Sequence, residues 1–588
     1  MRSKSLPLLP VILLGALFIA FRLWHLEADL PVWKITYYQA LDEPYYMLYA
    51  YNYMLFGTVA PTIADFVVHN YNGLGNLMVN LLPYLGVEAL GNNYYGVRIS
   101  SVLLSFAIFL IFAFIARRAL QESATTDGKA RYALLFLLLY ATLDFAFAMA
   151  GRVLEPTIFR AAAMMFLLLY AARLLEREMI GAKEAFFLGF FSFSAFVFVY
   201  MTNFFLVPAM LTALLIRLAP RGWRTLIKAA LWYAAGALAA FALFNLLFYL
   251  AFHVDFFTAL LDAVRTYSER LAVSGSGESH FLKNVAANLF NFFTTNFFRF
   301  DIAALLLFLT TLPIFWLRWR EKRDTLSLVV GSALALFFLQ TAVLNDFPYR
   351  KLIILFPLVT TMLLLLAADL PRTLERFEEL RGRKLFRLYA AGSLLLALLV
   401  LYRAVFKALA FDPTLRAVVL VCGIATLALF ARLLFGPSRS AKKTVAALLA
   451  LSLIPNLFLD YRHIAANTSY RLVLAEKDIA ETVGKAPVLG GMAWSLKPYN
   501  DYIPLINVYA YLYHADEATY IDHSRRLQKL FDVHYAVDFY NEKNIRALES
   551  IGFRPLRVYD INEATGRPVA LYRFEAKTKE TTEILPAP

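Results

Sequence analysis

Three short stretches of the chain carry the residue types that proton transfer or phosphate recognition needs. The first is Leu41-Asp42-Glu43-Pro44-Tyr45-Tyr46, two adjacent carboxylates ahead of a helix-like apolar stretch that runs to Phe56 and Gly57. A partly desolvated carboxylate beside a second acid has its pKa raised toward the range where it can accept a proton. The same residues also suit a helix start, with Asp42 accepting from free amides and Pro44 in the first turn. The second stretch is Gly151-Arg152-Val153-Leu154-Glu155-Pro156, an acid and a base three residues apart between two apolar runs. Arg152 and Glu155 either pair with each other or serve a site, the default for ionisable groups at membrane depth. The third is Asn345-Asp346-Phe347-Pro348-Tyr349-Arg350-Lys351, where two cations could meet a phosphate or simply extend toward an interface. The eight histidines form no pair at zinc-ligand spacing within one helix, and the single cysteine, Cys422, lies in an apolar run. His280, beside Glu278 and after the hinge-like Ser274-Gly275-Ser276-Gly277, is the histidine to follow.

These stretches must be positioned by a membrane fold. Of the 588 residues, 60% are hydrophobic and 17% charged, against about 25% charged in soluble chains. Apolar runs of crossing length occupy about 6–24, 97–116, 132–150, 154–172, 185–202, 204–219, 229–252, 301–317, 325–344, 351–370, 388–406, 414–435 and 444–459. That predicts about thirteen transmembrane helices. Met1–Trp24 has a basic start but no small-x-small cleavage pattern, so it reads as a retained first helix. The net charge of +14 sits in short blocks between alternate runs, which reads as topology and not as a nucleic-acid face. The intervening connections are poor in Lys and Arg; the long segment 25–96 has Lys34 alone. Positive-inside logic then places the N-terminus in the cytoplasm, 25–96 and 253–300 on the outer face as two loops, and everything after about 460 outside a cytoplasmic membrane.

Beyond residue 460 the pattern changes to short strands at 486–490, 533–539, 553–560 and 568–574, with helical stretches at 521–531 and 541–550. The expected architecture is thus a polytopic α-helical domain over 1–460 and a small extracytoplasmic α/β domain over 461–588. A transporter is the rival reading, but no inverted repeat is visible and the acids lie at an outer edge instead of the midplane. A noncatalytic scaffold with an outer binding domain is the third, with Arg525, Arg526 and Lys529 as its surface cations.

Arg22-Leu23-Trp24 ending the first helix, Asp42-Glu43 before Tyr45–Gly57, and Gly96-Val97-Arg98-Ile99-Ser100-Ser101 opening the second together resemble the GT-C superfamily of polyprenyl-phosphate-sugar glycosyltransferases. More narrowly the chain is similar to family 39, the protein O-mannosyltransferase and lipid A aminoarabinose transferase group. Gly151-Arg152 to Glu155 matches that family's Arg-then-acid turn, with Glu155 where Asp is usual, and Tyr349-Arg350-Lys351 with Phe356-Pro357 matches its later basic helix. Where aminoarabinose-transferase relatives carry Lys-Pro-Pro, this chain has His69-Asn70-Tyr71-Asn72-Gly73. The resemblance implies an inverting transfer of a sugar from a polyprenyl-phosphate donor to a lipid, protein or polysaccharide acceptor. Asp42 would be the base, Glu43 its neighbour and Glu155 the second acid, with Arg350, Lys351 and Arg152 meeting the donor phosphate. His69, Tyr71, Glu278 and His280 would lie on substrate loops. The leaving group is a monophosphate, so a divalent metal is not required, although Asp42, Glu43 and Glu155 could hold one.

Overall fold

The structure, a computed structural model, describes residues 6–29, 42–59, 62–63, 66–67, 77–123, 128–252, 255–257, 281–295, 300–343, 353–409, 412–435, 441–466, 469–505, 517–561 and 567–575. Each of the thirteen apolar runs is helical over most of its described length. Helix α1 (Leu8–Leu23) leads to two short helices, α2 (Asp42–Tyr46) and α3 (Leu48–Phe56), an antiparallel pair of strands β1 (Thr62–Ile63) and β2 (Phe66–Val67), and α4 (Leu77–Leu90). The bundle continues with α5 (Tyr94–Glu122), α6 (Gly128–Leu143), α7 (Phe145–Ala150), α8 (Pro156–Leu175), α9 (Ala182–Ser194), α10 (Leu206–Leu218) and α11 (Trp223–Phe252). After α12 (Phe281–Thr295) come α13 (Ile302–Lys322), α14 (Thr325–Val343), α15 (Leu355–Ala368), α16 (Leu370–Gly382), α17 (Lys384–Arg403), α18 (Pro413–Phe435) and α19 (Ala441–Asp460).

Among the described residues ten helices are long and apolar enough to cross a membrane, and α15 with α16 makes an eleventh if that bent pair is one span. The shortfall from thirteen has local causes. Helix α1 has only 16 residues, and the run 132–150 is divided at Asp144, whose side chain accepts from the Phe147 amide and so starts α7. The bend between α15 and α16 is 99°; Asp369 and Pro371 open a new, amphipathic helix where a basic loop was expected.

Without a hydrophobic drive between helices in lipid, close approach depends on small residues. A Cβ on Gly189 of α9 would lie 2.0 Å from the Tyr233 carbonyl of α11, and one on Gly236 of α11 would lie 1.9 Å from the Phe186 carbonyl of α9. The two helices therefore meet backbone to backbone at that pair.

The expected α/β elements follow α20 (Arg471–Val483): β3 (Pro487–Leu489), β4 (Ile503–Pro504), α21 (Glu517–Phe531), β5 (Tyr535–Phe539), α22 (Glu542–Glu549), β6 (Phe553–Tyr559) and β7 (Val569–Phe574). The sheet order is β4-β3-β5-β7-β6, parallel across β4, β3 and β5 and antiparallel from β5 through β7 to β6. Helix α20 and strand β4 were not expected, the strand because it contributes two residues only.

Candidate functional site

Helix α2 is held by one buried carboxylate. Glu43 is 1% exposed and forms a double contact with Arg98 of α5, Nε to Oε1 at 2.9 Å and Nη2 to Oε2 at 2.6 Å. The other arm of Arg98 donates to the carbonyls of Ala28 at 2.8 Å and Leu26 at 2.5 Å, and its guanidinium lies 4.2 Å from the Tyr94 ring centre. Glu43 Oε1 also accepts from the Leu154 amide at 2.7 Å. A single carboxylate thereby joins α2, α5 and the turn that ends at Glu155. Asp42 opens α2 at the adjacent position, its Cα about 3.8 Å from that of Glu43; its side chain lies outside the described residues.

Glu155 stands at the N-cap position of α8, with Pro156 at the first helical position. It is 3% exposed, and Oε2 accepts from Thr157 Oγ1 at 2.8 Å. One turn further, fully buried Arg160 donates through Nε to Asn203 Oδ1 at 3.3 Å, sits 5.6 Å from the Tyr200 ring centre, and is within electrostatic reach of Glu155. Tyr200 marks a break, with a π-helical turn at Ala195–Val199 before it and a 3₁₀ turn at Met201–Phe205 after it. Such irregular turns concentrate at functional sites. Arg152 donates to the carbonyls of Phe21 at 3.1 Å and His25 at 2.9 Å, which ties the turn to the end of α1.

A second polar group lies behind this turn, and of its members only Arg22, in the Arg22-Leu23-Trp24 motif, was singled out from sequence. Arg22 lies 3.3 Å from the Phe18 ring centre, and its Nε and Nη2 have no hydrogen-bond partner among the described residues; nor has either carboxylate oxygen of buried Asp460. Tyr140, Ser452 and Asn456 all donate to Asp301 Oδ2, at 3.0, 2.5 and 3.1 Å. Gly151 is required here: a Cβ would fall 2.7 Å from Ser105 Oγ and 2.9 Å from Arg22 Nε. Acids and bases scattered from 22 to 460 have no shared sequence signature, so only the fold assembles them.

The segment after β3 lies against the first loop. Asn92 donates to the carbonyls of Lys497 and Asn500, both at 3.0 Å, and accepts from Tyr51 Oη at 2.9 Å and, through its carbonyl, from the Tyr499 amide at 2.8 Å. Tyr499 Oη donates to Glu27 at 2.5 Å. Lys497 is buried, and its ammonium donates to the carbonyls of Asn500 at 2.6 Å and Tyr502 at 3.1 Å. Burial pulls its pKa down to about 8 against the opposing charge of Asp501.

His69, Tyr71, Glu278, His280, Arg350 and Lys351 lie outside the described residues. No group of three His, Cys, Asp or Glu residues positioned to share a metal ion occurs among the described residues. The structure thus brings Glu43 to the turn before Glu155 and ties Arg152 to the end of α1, while Arg160, Asn203 and Tyr200 join the surroundings of Glu155.

No protein-family model matches the chain, and no curated protein matches it. Among solved structures it is similar to ArnT from Cupriavidus metallidurans, with 15% identity, a TM-score of 0.51, and coverage of 96% of this chain and 97% of that one. The same values hold for that protein bound to undecaprenyl phosphate. It is also similar to the oligosaccharyltransferase of Archaeoglobus fulgidus, with 12% identity, a TM-score of 0.46, and coverage of 90% and 69%. The chain is a multi-pass membrane protein with the GT-C fold, carrying a five-stranded sheet near its C-terminus.

Proposed function

We propose that this protein is a membrane glycosyltransferase that moves a sugar from a polyprenyl-phosphate donor to an acceptor on the outer face of the cytoplasmic membrane. The N-terminus would face the cytoplasm and the 461–588 domain the outside. The observation that carries the reading is the Glu43 clamp, which ties the helix opened by Asp42 to the turn before Glu155. The GT-C fold and the undecaprenyl phosphate bound to ArnT support the donor class.

Asp42 would accept the proton of an acceptor hydroxyl or amine as that group attacks the anomeric carbon. The carbon–oxygen bond to the lipid phosphate breaks, the polyprenyl phosphate departs with the electron pair, and the configuration inverts. Arg350 and Lys351 would offset the charge growing on that phosphate. Glu43, with both oxygens engaged, acts as a positioning residue, and Glu155 orients the acceptor with Thr157 and Arg160 beside it. An apolar groove of about 250 Å³ between Tyr53, Leu81 and Tyr84 on one side and Phe198, Phe244 and Phe248 on the other suits the first isoprene units. Lipid, protein and polysaccharide remain the acceptor classes.

The test is sugar transfer in reconstituted proteoliposomes from a synthetic polyprenyl-phosphate sugar. Asp42→Asn should lower the rate on the order of 10²–10⁴-fold with an unchanged melting midpoint. Wild-type turnover in that variant would remove Asp42 from the chemistry.

A further inference from the structure

At 1.5 Å per residue the 20-residue helix α8 carries the chain about 30 Å from Glu155. At that remote end lies a cleft of about 320 Å³ lined by Tyr170, Arg173, Arg177, Lys183, Glu184 and Phe187. Its one carboxylate is already engaged: Glu184 accepts from the Gly181 amide at 3.0 Å, capping α9, and from Arg177 Nη1 at 3.1 Å. Arg173 and Lys183 have no carboxylate partner among the described residues. Three cations against one acid leave the cleft at net +2.

The surface below the cleft is apolar and aromatic. Tyr170 and Phe187 form its floor, and one helical turn deeper, toward the middle of the bundle, come Phe166 and Phe191, 53% and 44% exposed. The rings are ordered against one another, Tyr170 on Phe191 edge-on at 5.2 Å and Phe187 on Phe191 stacked at 6.1 Å. A charged rim above a lipid-facing aromatic strip at a helix end matches the two parts of one molecule, an anionic head group and an acyl chain.

We infer that the cleft between the α8 C-terminus and the α9 N-terminus binds one anionic glycerophospholipid, its phosphate on Arg173, Arg177 and Lys183 and an acyl chain along Tyr170, Phe187 and Phe191. The distance from Glu155 separates this site from the proposed transfer chemistry, and its occupancy is read without any sugar transfer.

Native mass spectrometry of the delipidated full chain, titrated with dioleoyl phosphatidylglycerol or dioleoyl phosphatidylcholine, tests it. Retention of the anionic lipid alone is expected. A surface cation contributes about fivefold in anionic-lipid binding, so Arg173→Gln/Lys183→Gln should weaken retention on the order of 25-fold. Phe187→Ala/Phe191→Ala should also weaken it while leaving all cations in place. Equal retention of the two lipids, or undiminished retention by the cation variant, overturns the site. Displacement by glycerol 3-phosphate at concentrations matching the lipid would show a bare anion site and overturn the lipid assignment. The two wild-type comparisons decide the matter even where a variant fails to fold.

Discussion

Two buried arginines flank the turn at Gly151, and they are solved in opposite ways. Arg98 meets a full set of partners: a carboxylate in a double contact, two carbonyls and an aromatic face. Arg22 rests on Phe18 and, among the described residues, its hydrogen bonds are two long ones to the Phe18 and Thr142 carbonyls at 3.4 and 3.3 Å, while nearby Asp460 has both oxygens without a hydrogen-bond partner among the described residues. A closed network fixes one arrangement, whereas an under-satisfied one leaves polar groups able to change partners. The first loop is therefore fixed from the α5 side, and the polar freedom of this region lies on the α1 and α19 side.

The largest expected effect breaks the closed network. Arg98→Met leaves Glu43 buried without its cation, a change that costs about 3–5 kcal/mol. Arg22→Met removes fewer and longer hydrogen bonds and should cost about 1–2 kcal/mol. Thermal midpoints in detergent compare the two directly, and equal losses would erase the contrast.

Lys497 sharpens the comparison from above the first loop, as a buried cation with carbonyl partners and no buried counter-charge among the described residues. Its pKa of about 8 lies below the ordinary 10.5, so between those values the unfolded chain holds the proton that the folded chain has lost. Stability must then rise as pH increases through this window, by on the order of 1–3 kcal/mol. The melting midpoint of the wild type should gain on that of Lys497→Met between pH 7.5 and pH 9.5. Parallel profiles would show that Lys497 keeps its proton.

What the sequence disclosed follows the range of the interactions. Apolar length is a local property, and all thirteen runs are helical over most of their described length; alternation and turn residues likewise announced β5, β6 and β7 within two residues. The bend at Asp369 was legible in Pro371 but was masked by the basic composition of 372–387. Motif order pointed to Asp42, Glu43 and Glu155, yet the partner of Glu43 lies 55 residues away and that of Tyr499 lies 472 away. Pairings at such separations depend on helix packing, which no local pattern encodes. Arg160 had a weaker signal, a lone cation inside an apolar run.

The smallest effect is the most discriminating for the open network. If Asp460 made strong contacts, replacing it with Asn would unfold or loosen the α1 and α19 side. Both its oxygens lack hydrogen-bond partners among the described residues, and the same is true of the two Arg22 nitrogens. Asp460→Asn keeps the shape, removes the charge and supplies an amide that can donate, so the expected change is within about 1 kcal/mol in either direction. A stability loss of about 3 kcal/mol or more, read from the shift of the detergent melting midpoint, would show that Asp460 and Arg22 form a tight pair. The two sides of the turn would then be fixed equally, and conformational freedom near Glu155 would have to come from the Tyr200 break instead.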